Sequence, residues 1–225
     1  STADLIASQH ILHINSLGNG TPTDIATWTN GLQAVAESSR LGIPVTVSTD
    51  PRHAFAANPG TAMSAGSFSQ WPEPIGFGAI GDAGVVENFA NIARQEYRAV
   101  GIHLALHPMA DLATEPRWGR IHGTFGEDAE LAAKLIAAYI RGFQGDELGP
   151  ESVACMTKHF PGGGPQKDGE DPHFPYGREQ VYPGGNFDHH LIPFEAPTPT
   201  TISNALFIHP MLATKRQDIL QRHYG

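Results

Sequence analysis

The stretch TKHFPGGGPQKDGEDPHFPYGRE, residues 157–179, begins as the end of a buried strand and continues as a long loop rich in glycine, proline and charge. Its first residues close the apolar run VACMTKHF (153–160), which predicts a strand. This strand therefore presents a polar pair, Lys158 and His159, at its C-terminal end. A loop of this length in a folded domain usually has a function. The interpretation of both fold and function therefore depends on what Lys158 and His159 contact at this strand end.

Before this strand, apolar runs alternate with segments of helical periodicity. Three further predicted strands are HILHINSL (10–17), IPVTVSTD (43–50) and IHLALHPM (102–109). Predicted helices cover residues 23–42, 82–101 and 127–145, and a long loop covers residues 51–81. Thr23 or Asp24 is expected to cap the first helix, because both side chains accept hydrogen bonds from backbone N–H groups.

The order β-α-β-α-β-α-β predicts an α/β fold with a parallel sheet and right-handed crossovers. We expect its strands to be apolar on both faces, as in a sheet covered by helices. The segment SLGNGTP (16–22) after the first strand lacks the GxGxxG spacing of a nucleotide-binding doubly wound fold. The pattern therefore favours a β/α barrel.

Polar residues collect where the predicted strands end. Asp50 ends the second strand, His107 lies near the end of the third, and Lys158 and His159 end the fourth. In a β/α barrel the active site lies at the C-terminal ends of the strands. Their co-location predicts a functional site at this end of the sheet.

Composition narrows the classes of partner. The 225 residues are 40% hydrophobic and 16% charged, which is typical of one large globular domain or two small ones. A net charge of −9 and the absence of a Lys/Arg cluster argue against nucleic acid. No apolar run approaches the roughly 20 residues of a membrane span. A sugar, a peptide or another small molecule is the expected partner of this soluble protein.

The sequence leaves the cellular location open between cytoplasm, periplasm and secretion. Cys155 is the single cysteine, so no disulfide forms within the chain. Residues 1–20 lack the basic start and apolar core of a signal peptide, although a signal removed earlier would leave no trace. We expect Cys155, in the middle of a predicted strand, to be buried and unreactive.

Each candidate residue has a structural alternative. Lys158 and His159 suit hydroxyl recognition, but they could equally pair with a carboxylate and a backbone carbonyl. Asp50 could accept sugar hydroxyls, or pair with Arg52 or Lys158, because a buried carboxylate requires partners.

The segment TEPRWGRIHGTFGED (114–128) has the same ambiguity. Trp118 could stack on a sugar or cover the core. Arg120 offers a rigid fork of donors for hydroxyls or a carboxylate, turned inward by the glycine before it. For Glu127 and Asp128 we favour capping of the third predicted helix.

The sequence predicts neither a metal nor a cofactor. The close histidine pairs are His10/His13, His103/His107 and His189/His190, and none has a supporting cysteine or an HExxH pattern. A GxSxG nucleophile elbow is also absent from the sequence.

Three motifs in order, IPVTVSTD, PRWGR followed by FGED, and KHFPGGG, resemble the N-terminal barrel domain of glycoside hydrolase family 3, from about residue 10 to residue 195. The resemblance implies a TIM-type (β/α)8 barrel, of which this chain would hold about five or six of the eight strands. Residues 1–225 would then be part of a single barrel domain, with the later strands and a C-terminal domain outside them. Residues 196–212 match the family poorly.

The resemblance also implies a function. The family's β-glucosidases and relatives are retaining, exo-acting β-glycosidases, which release a sugar from the non-reducing end of β-glucosides or oligosaccharides. Five residues match positions that bind this sugar, namely Asp50, Arg120, Lys158, His159 and Arg178.

The family's nucleophile is an aspartate in an SDW- or TDW-like motif, which this sequence lacks. Its acid/base residue usually comes from a later domain. We therefore expect no catalytic residue in this chain and no activity from the chain alone, and a second polypeptide or a missing segment could complete the barrel. An SDW-like motif beyond residue 225 would support this interpretation.

Three alternatives remain at this stage. The first is a non-catalytic carbohydrate-binding barrel that lacks the nucleophile. The second is an N-acetylhexosaminidase, although those relatives carry KHFPGHG and this chain has Gly163 in place of that histidine. The third is a metal-dependent enzyme.

Overall fold

A computed structural model of the chain describes residues 1–55 and 63–195, and the backbone of residues 205–208. In these residues five strands form one parallel sheet in the spatial order β1-β2-β3-β4-β5. The strands are β1 His13–Asn15, β2 Thr46–Thr49, β3 Leu104–Ala105, β4 Ala154–Phe160 and β5 Ala205–Ile208. Spatial order follows chain order without a reversal, which is typical of a barrel and not of a doubly wound sheet. The predicted α/β fold with a parallel sheet is confirmed.

Helices connect these strands and lie around the sheet. They are α1 Thr2–Gln9, α2 Pro22–Glu37, α3 Pro74–Ile80, α4 Ala83–Ala99, α5 Ala129–Gln144 and the short α6 Ile192–Glu195. The three long predicted helices are present as α2, α4 and α5. Two helices were not predicted from the sequence, namely α1 and α3, and α3 lies inside the predicted loop 51–81.

The ends of the helices follow their capping residues. Thr21 caps α2 in a capping box with Asp24, so the predicted cap at Thr23 or Asp24 was wrong by two or three residues. Asp82 caps α4 and Asp128 caps α5. The interpretation of Asp128 as a helix cap is therefore correct.

The strands are shorter than predicted, and their two faces differ. Val47, Ala105 and Cys155 lie in the helix-covered core. Alternate residues face the other way, because side chains of a strand alternate between faces. That second face is lined by polar groups such as Asn15 and Ser48. The expectation of strands apolar on both faces was therefore wrong.

Cys155 is buried, and burial raises the pKa of its thiol well above its ordinary value. Its backbone N–H donates to the side chain of Gln144 on α5. Among the described helices, none combines the length and the apolar character that a membrane crossing requires.

Helices α4 and α5 pack closely against each other in the core. Gly142 on α5 faces α4, and a Cβ added there would lie 2.5 Å from the carbonyl oxygen of Glu87 and from Cβ of Ala90. Only a residue without a side chain allows the two backbones to approach so closely. The contact holds α4 and α5 against the strands that carry the polar face.

We predict that Gly142→Ala lowers the free energy of unfolding by about 1–3 kcal/mol, because it overpacks this contact. Gly31→Ala is the matched control. Gly31 is exposed in α2 with no atom within 4 Å of an added Cβ, so the same change should raise stability by about 0.5–1 kcal/mol. Urea unfolding followed by circular dichroism measures both. Equal effects at the two positions would contradict the packing assigned to Gly142.

Candidate functional site

An open cavity of about 470 Å³ lies against the polar face of the sheet. Strand residues in its wall alternate along the chain, so that pairs two residues apart face it together. Its polar lining residues are His13, Asn15, Ser48, Asp50, Arg120, Lys158, His159 and His173. Four of the five predicted site residues are thus brought together at the C-terminal ends of the strands.

Asp50 and Lys158 form an ion pair in the cavity wall. Lys158 Nζ lies 2.8 Å from Asp50 Oδ1, and the Asp50 side chain retains 25% of its exposure. Burial lowers the pKa of Lys158, and the Asp50 carboxylate opposes this shift. The structural alternative for Asp50, pairing with Lys158, is therefore realised, while both groups also face the cavity. Arg52 donates instead to the carbonyl oxygens of Ser16 and Gly18.

His159 contacts a carboxylate that was not predicted from the sequence as a site residue. Its Nδ1 lies 2.9 Å from Oδ2 of Asp111, a fully buried carboxylate that follows β3. The backbone N–H groups of His159 and Gly163 donate to the same carboxylate. The alternative in which the imidazole donates to a backbone carbonyl was therefore wrong with respect to Nδ1.

The electrostatics of this pair favour an ionised Asp111 and a neutral His159. Burial acts to raise the pKa of Asp111, but His159, the N–H of Gly163 and Arg120 outweigh it and lower that pKa below its ordinary value. Burial lowers the pKa of His159, and the Asp111 carboxylate offsets only part of the shift.

Arg120 connects His159 to the segment before α5. Its Nη1 lies 3.1 Å from His159 Nε2, and its Nη2 lies 3.6 Å from Sδ of Met109. Its buried Nε has no hydrogen-bond partner among the described residues. Arg120 thus lies in the cavity wall.

Trp118, by contrast, is 3% exposed and does not line the cavity. Its ring lies where a Cβ at Gly163 would contact it at 3.6 Å. Between the two alternatives for Trp118, the structure supports the core position.

Two further candidates lie away from the cavity. Arg178 is exposed in the turn Pro175–Arg178 and does not line the cavity, so the structure does not bring it to the other four residues. His107 is buried between Tyr97 and Tyr139, whose hydroxyl groups contact its two ring nitrogens at 3.2 and 2.6 Å. It is a core histidine, and burial holds its pKa well below the ordinary value.

Across residues 1–55 and 63–195, no group of three or more His, Cys, Asp or Glu side chains is arranged to hold a metal ion. His10 and His13 belong to different local structures, the left-handed cap of α1 and β1.

Sequence signals for the missed residues exist in part. His13 and Asn15 alternate with apolar neighbours in β1, which indicates a polar face. Asp111 follows a strand end as Asp50 does, and this shared placement is the signal that could have identified it.

The comparison with protein families gives a clear match. The model of the glycosyl hydrolase family 3 N terminal domain matches residues 2–203. "Probable beta-glucosidase C" of Aspergillus flavus is 55% identical over 197 residues, covering 87% of this chain and 31% of that protein. "Periplasmic beta-glucosidase/beta-xylosidase" of Dickeya chrysanthemi is 48% identical over 193 residues, covering 84% and 30%. The chain thus spans about a third of the length of these relatives.

Solved structures give the same result. A glycoside hydrolase family 3 β-N-acetylglucosaminidase from Paenibacillus sp. str. FPU-7 aligns with a TM-score of 0.69 at 26% identity, covering 92% of this chain and 38% of that one. A β-glucosidase from Listeria innocua in complex with isofagomine aligns with a TM-score of 0.55 at 30% identity, covering 65% and 20%.

We predict that Trp118→Ala lowers the free energy of unfolding by about 3–5 kcal/mol, because it leaves a large cavity in the core. Trp28→Ala is the control, since Trp28 is 38% exposed on α2 and should cost much less. Urea unfolding of both variants measures the difference. A well-folded Trp118→Ala protein of unchanged stability would contradict the core position.

The order of the strands, the polar cavity at their ends and the match over residues 2–203 agree, and the chain belongs to glycosyl hydrolase family 3, within its N-terminal domain.

Proposed function

We propose that the protein is a retaining, exo-acting β-glycosidase of the β-glucosidase type, and that this chain supplies the subsite for the sugar at the non-reducing end. The observation that carries the proposal is the convergence of Asp50, Arg120, Lys158 and His159 on one cavity. The names of the relatives at 55% and 48% identity support a β-glucoside as the substrate class. Nucleic acid and membrane have no part in this proposal.

The cavity wall suits a neutral polyhydroxylated ring. Asp50 is acceptor-only when ionised and can take hydroxyl protons at the lone pairs that Lys158 leaves free. Lys158 has three N–H donors, of which the contact with Asp50 uses one. The ion pair fixes both side chains in the wall, so that a sugar binds without first ordering either of them.

The catalytic carboxyl groups lie elsewhere in this proposal. Retaining hydrolysis uses two carboxyl groups about 5–5.5 Å apart, one as nucleophile and one as acid/base. Among the described residues, Asp50 is the one carboxylate in the cavity wall, and it is paired with Lys158. We place both catalytic groups, the later barrel strands and the C-terminal domain in other parts of the whole protein. A second polypeptide that completes the barrel is the other arrangement compatible with this proposal.

A second candidate function is hydrolysis of N-acetylhexosaminides. Structures of such enzymes align with this chain, including one from Beutenbergia cavernae at 27% identity and a TM-score of 0.61. The higher identity to proteins named β-glucosidases favours the glucoside. A protein that binds β-glucosides without cleaving them would instead be a carbohydrate-binding barrel.

We predict that Asp50→Asn and Lys158→Ala in the whole protein each lower kcat/KM on the order of 30- to 1,000-fold, which corresponds to a loss of about 2–4 kcal/mol of transition-state stabilisation. The reason is that each change leaves the charge of the other residue uncompensated in the cavity wall. The assay is hydrolysis of an aryl β-glucoside. Lys167→Ala and Asp82→Asn are the controls, since Lys167 is in an exposed ion pair and asparagine can cap α4 as aspartate does. Wild-type kcat/KM in both site variants would remove the pair from the sugar site.

We also predict that the 225-residue chain alone does not hydrolyse aryl β-glucosides, whereas the whole protein does. Intact mass spectrometry on the assayed sample identifies which polypeptides are present. Turnover by a single 24.1 kDa species would refute the assignment of the catalytic groups to other parts of the protein. No turnover by the whole protein would favour the carbohydrate-binding barrel.

A further inference from the structure

We propose that Asp111 is a positioning residue of the sugar site, which fixes the protonation pattern of His159 so that His159 Nε2 accepts a hydrogen bond from Arg120. The proposal rests on the proposed function, because it assigns a role within the same cavity. Asp111 acts through His159 and does not itself line the cavity.

Asp111 is surrounded by donors of two kinds. Oδ1 receives the backbone N–H of Gly163 at 2.5 Å, and the backbone N–H of His159 lies 3.3 and 3.2 Å from Oδ1 and Oδ2. Oδ2 lies 2.9 Å from Nδ1 of the His159 ring. The backbone donors cannot change, whereas the imidazole can move its proton from one nitrogen to the other.

These contacts select one tautomer of the ring. An ionised carboxylate only accepts, so Nδ1 of His159 must carry the proton. The guanidinium of Arg120 only donates, so Nε2, 3.1 Å away, must be unprotonated. His159 is therefore an acceptor toward Arg120. The hydrogen bonds Asp111–His159–Arg120 connect the buried Asp111 carboxylate to the cavity wall.

The unprotonated Nε2 of His159 determines the position of the Arg120 guanidinium. Arg120 is buried, and among the described residues its other hydrogen-bond contact, besides that with His159, is the weak one to Sδ of Met109. The lone pair on Nε2 of His159 thus holds the guanidinium in the wall. A proton on Nε2 would set two donors against each other and displace Arg120 from its position beside Lys158.

Asp111→Asn tests this chain of contacts because the amide keeps one acceptor and adds a donor. With the amide oxygen at the Oδ1 position, both backbone N–H groups remain satisfied. The NH₂ group then faces Nδ1, which must become the acceptor, and the proton moves to Nε2. A carboxylate-to-amide change of this kind gives the wrong tautomer in a serine protease triad.

The first readout is the ¹⁵N spectrum of the histidine rings in the full 225-residue chain, with the His159 signals assigned through His159→Gln. We expect a protonated Nδ1 and a bare Nε2 in the wild type, and the reverse in Asp111→Asn. A wild-type His159 that is protonated at Nε2 or doubly protonated near pH 7 overturns the proposal, as does an unchanged tautomer in the variant. If Asp111→Asn does not fold, the wild-type spectrum alone decides.

Glu96→Gln is the matched control. Glu96 contacts Nε2 of His53 at 2.9 Å and accepts from the backbone N–H of Ser69, outside the wall of this cavity. The same carboxylate-to-amide change there should alter the His53 signals and leave those of His159 unchanged.

The second readout is a double-mutant cycle on kcat/KM in the whole protein. Asp111→Asn should lower kcat/KM on the order of 10- to 100-fold, by analogy with the partners that orient metal-ligating histidines. In a His159→Gln background the same change should have little effect, because Asp111 acts through the ring. Additive effects overturn the proposal. If the wild type has no glycosidase activity, the proposed function fails, and the tautomer measurement alone decides the role of Asp111.

Discussion

Two adjacent residues at the end of β4, Lys158 and His159, are buried, and each has a carboxylate partner that follows an earlier strand of the sheet. Asp50 follows β2 and pairs with the lysine, and Asp111 comes after β3 and pairs with the histidine. Removing a charge from water costs several kcal/mol unless a well-placed partner offsets it. The position of the site therefore depends on parallel strands that end together, so that carboxylates from earlier strands meet the polar pair of a later one.

The same constraint explains the glycines after β4. The N–H of Gly163 donates to Asp111, and an added Cβ there would lie 3.1 Å from the Asp111 carboxylate. A Cβ on Gly164 would overlap the carbonyl oxygen of Leu112. The backbone of the loop after β4 comes into direct contact with the backbone of the segment after β3, and only glycine leaves room for this contact. The KHFPGGG motif thus supplies polar side chains to the cavity wall and also glycines that allow the loop to pack closely.

Local signals in the sequence predicted the alternation of strands and helices, because α2, α4 and α5 have clear periodicity and their strands are apolar runs. The short elements were missed or overextended. β3 has only two residues, Leu104 and Ala105, within a run of eight predicted ones, and Met109 at the end of that run forms an isolated bridge with Lys158, since pairing depends on the neighbouring strands and not on the run itself. The cap of α2 at Thr21 was missed although the capping box with Asp24 is visible in the sequence.

Long-range partners were harder to predict than elements. Asp50 and Lys158, which are 108 residues apart, were correctly placed at one end of the sheet because each ends a predicted strand. Asp111 was missed because it lies beyond the end of the third predicted strand, at residue 109. Trp118 and His107 were candidates for the functional site, and the burial of both side chains shows that they belong to the core. Arg178 lies on an exposed turn away from the cavity, and no local pattern in the sequence indicates this position.

The most direct test of the account is a crystal structure of the whole protein with bound glucose. We predict that sugar hydroxyls lie within hydrogen-bond distance of the Asp50 carboxylate and of Nζ of Lys158, with the Asp111–His159 contact retained. Glucose bound away from this cavity, or bound there without contact to either group, would contradict it.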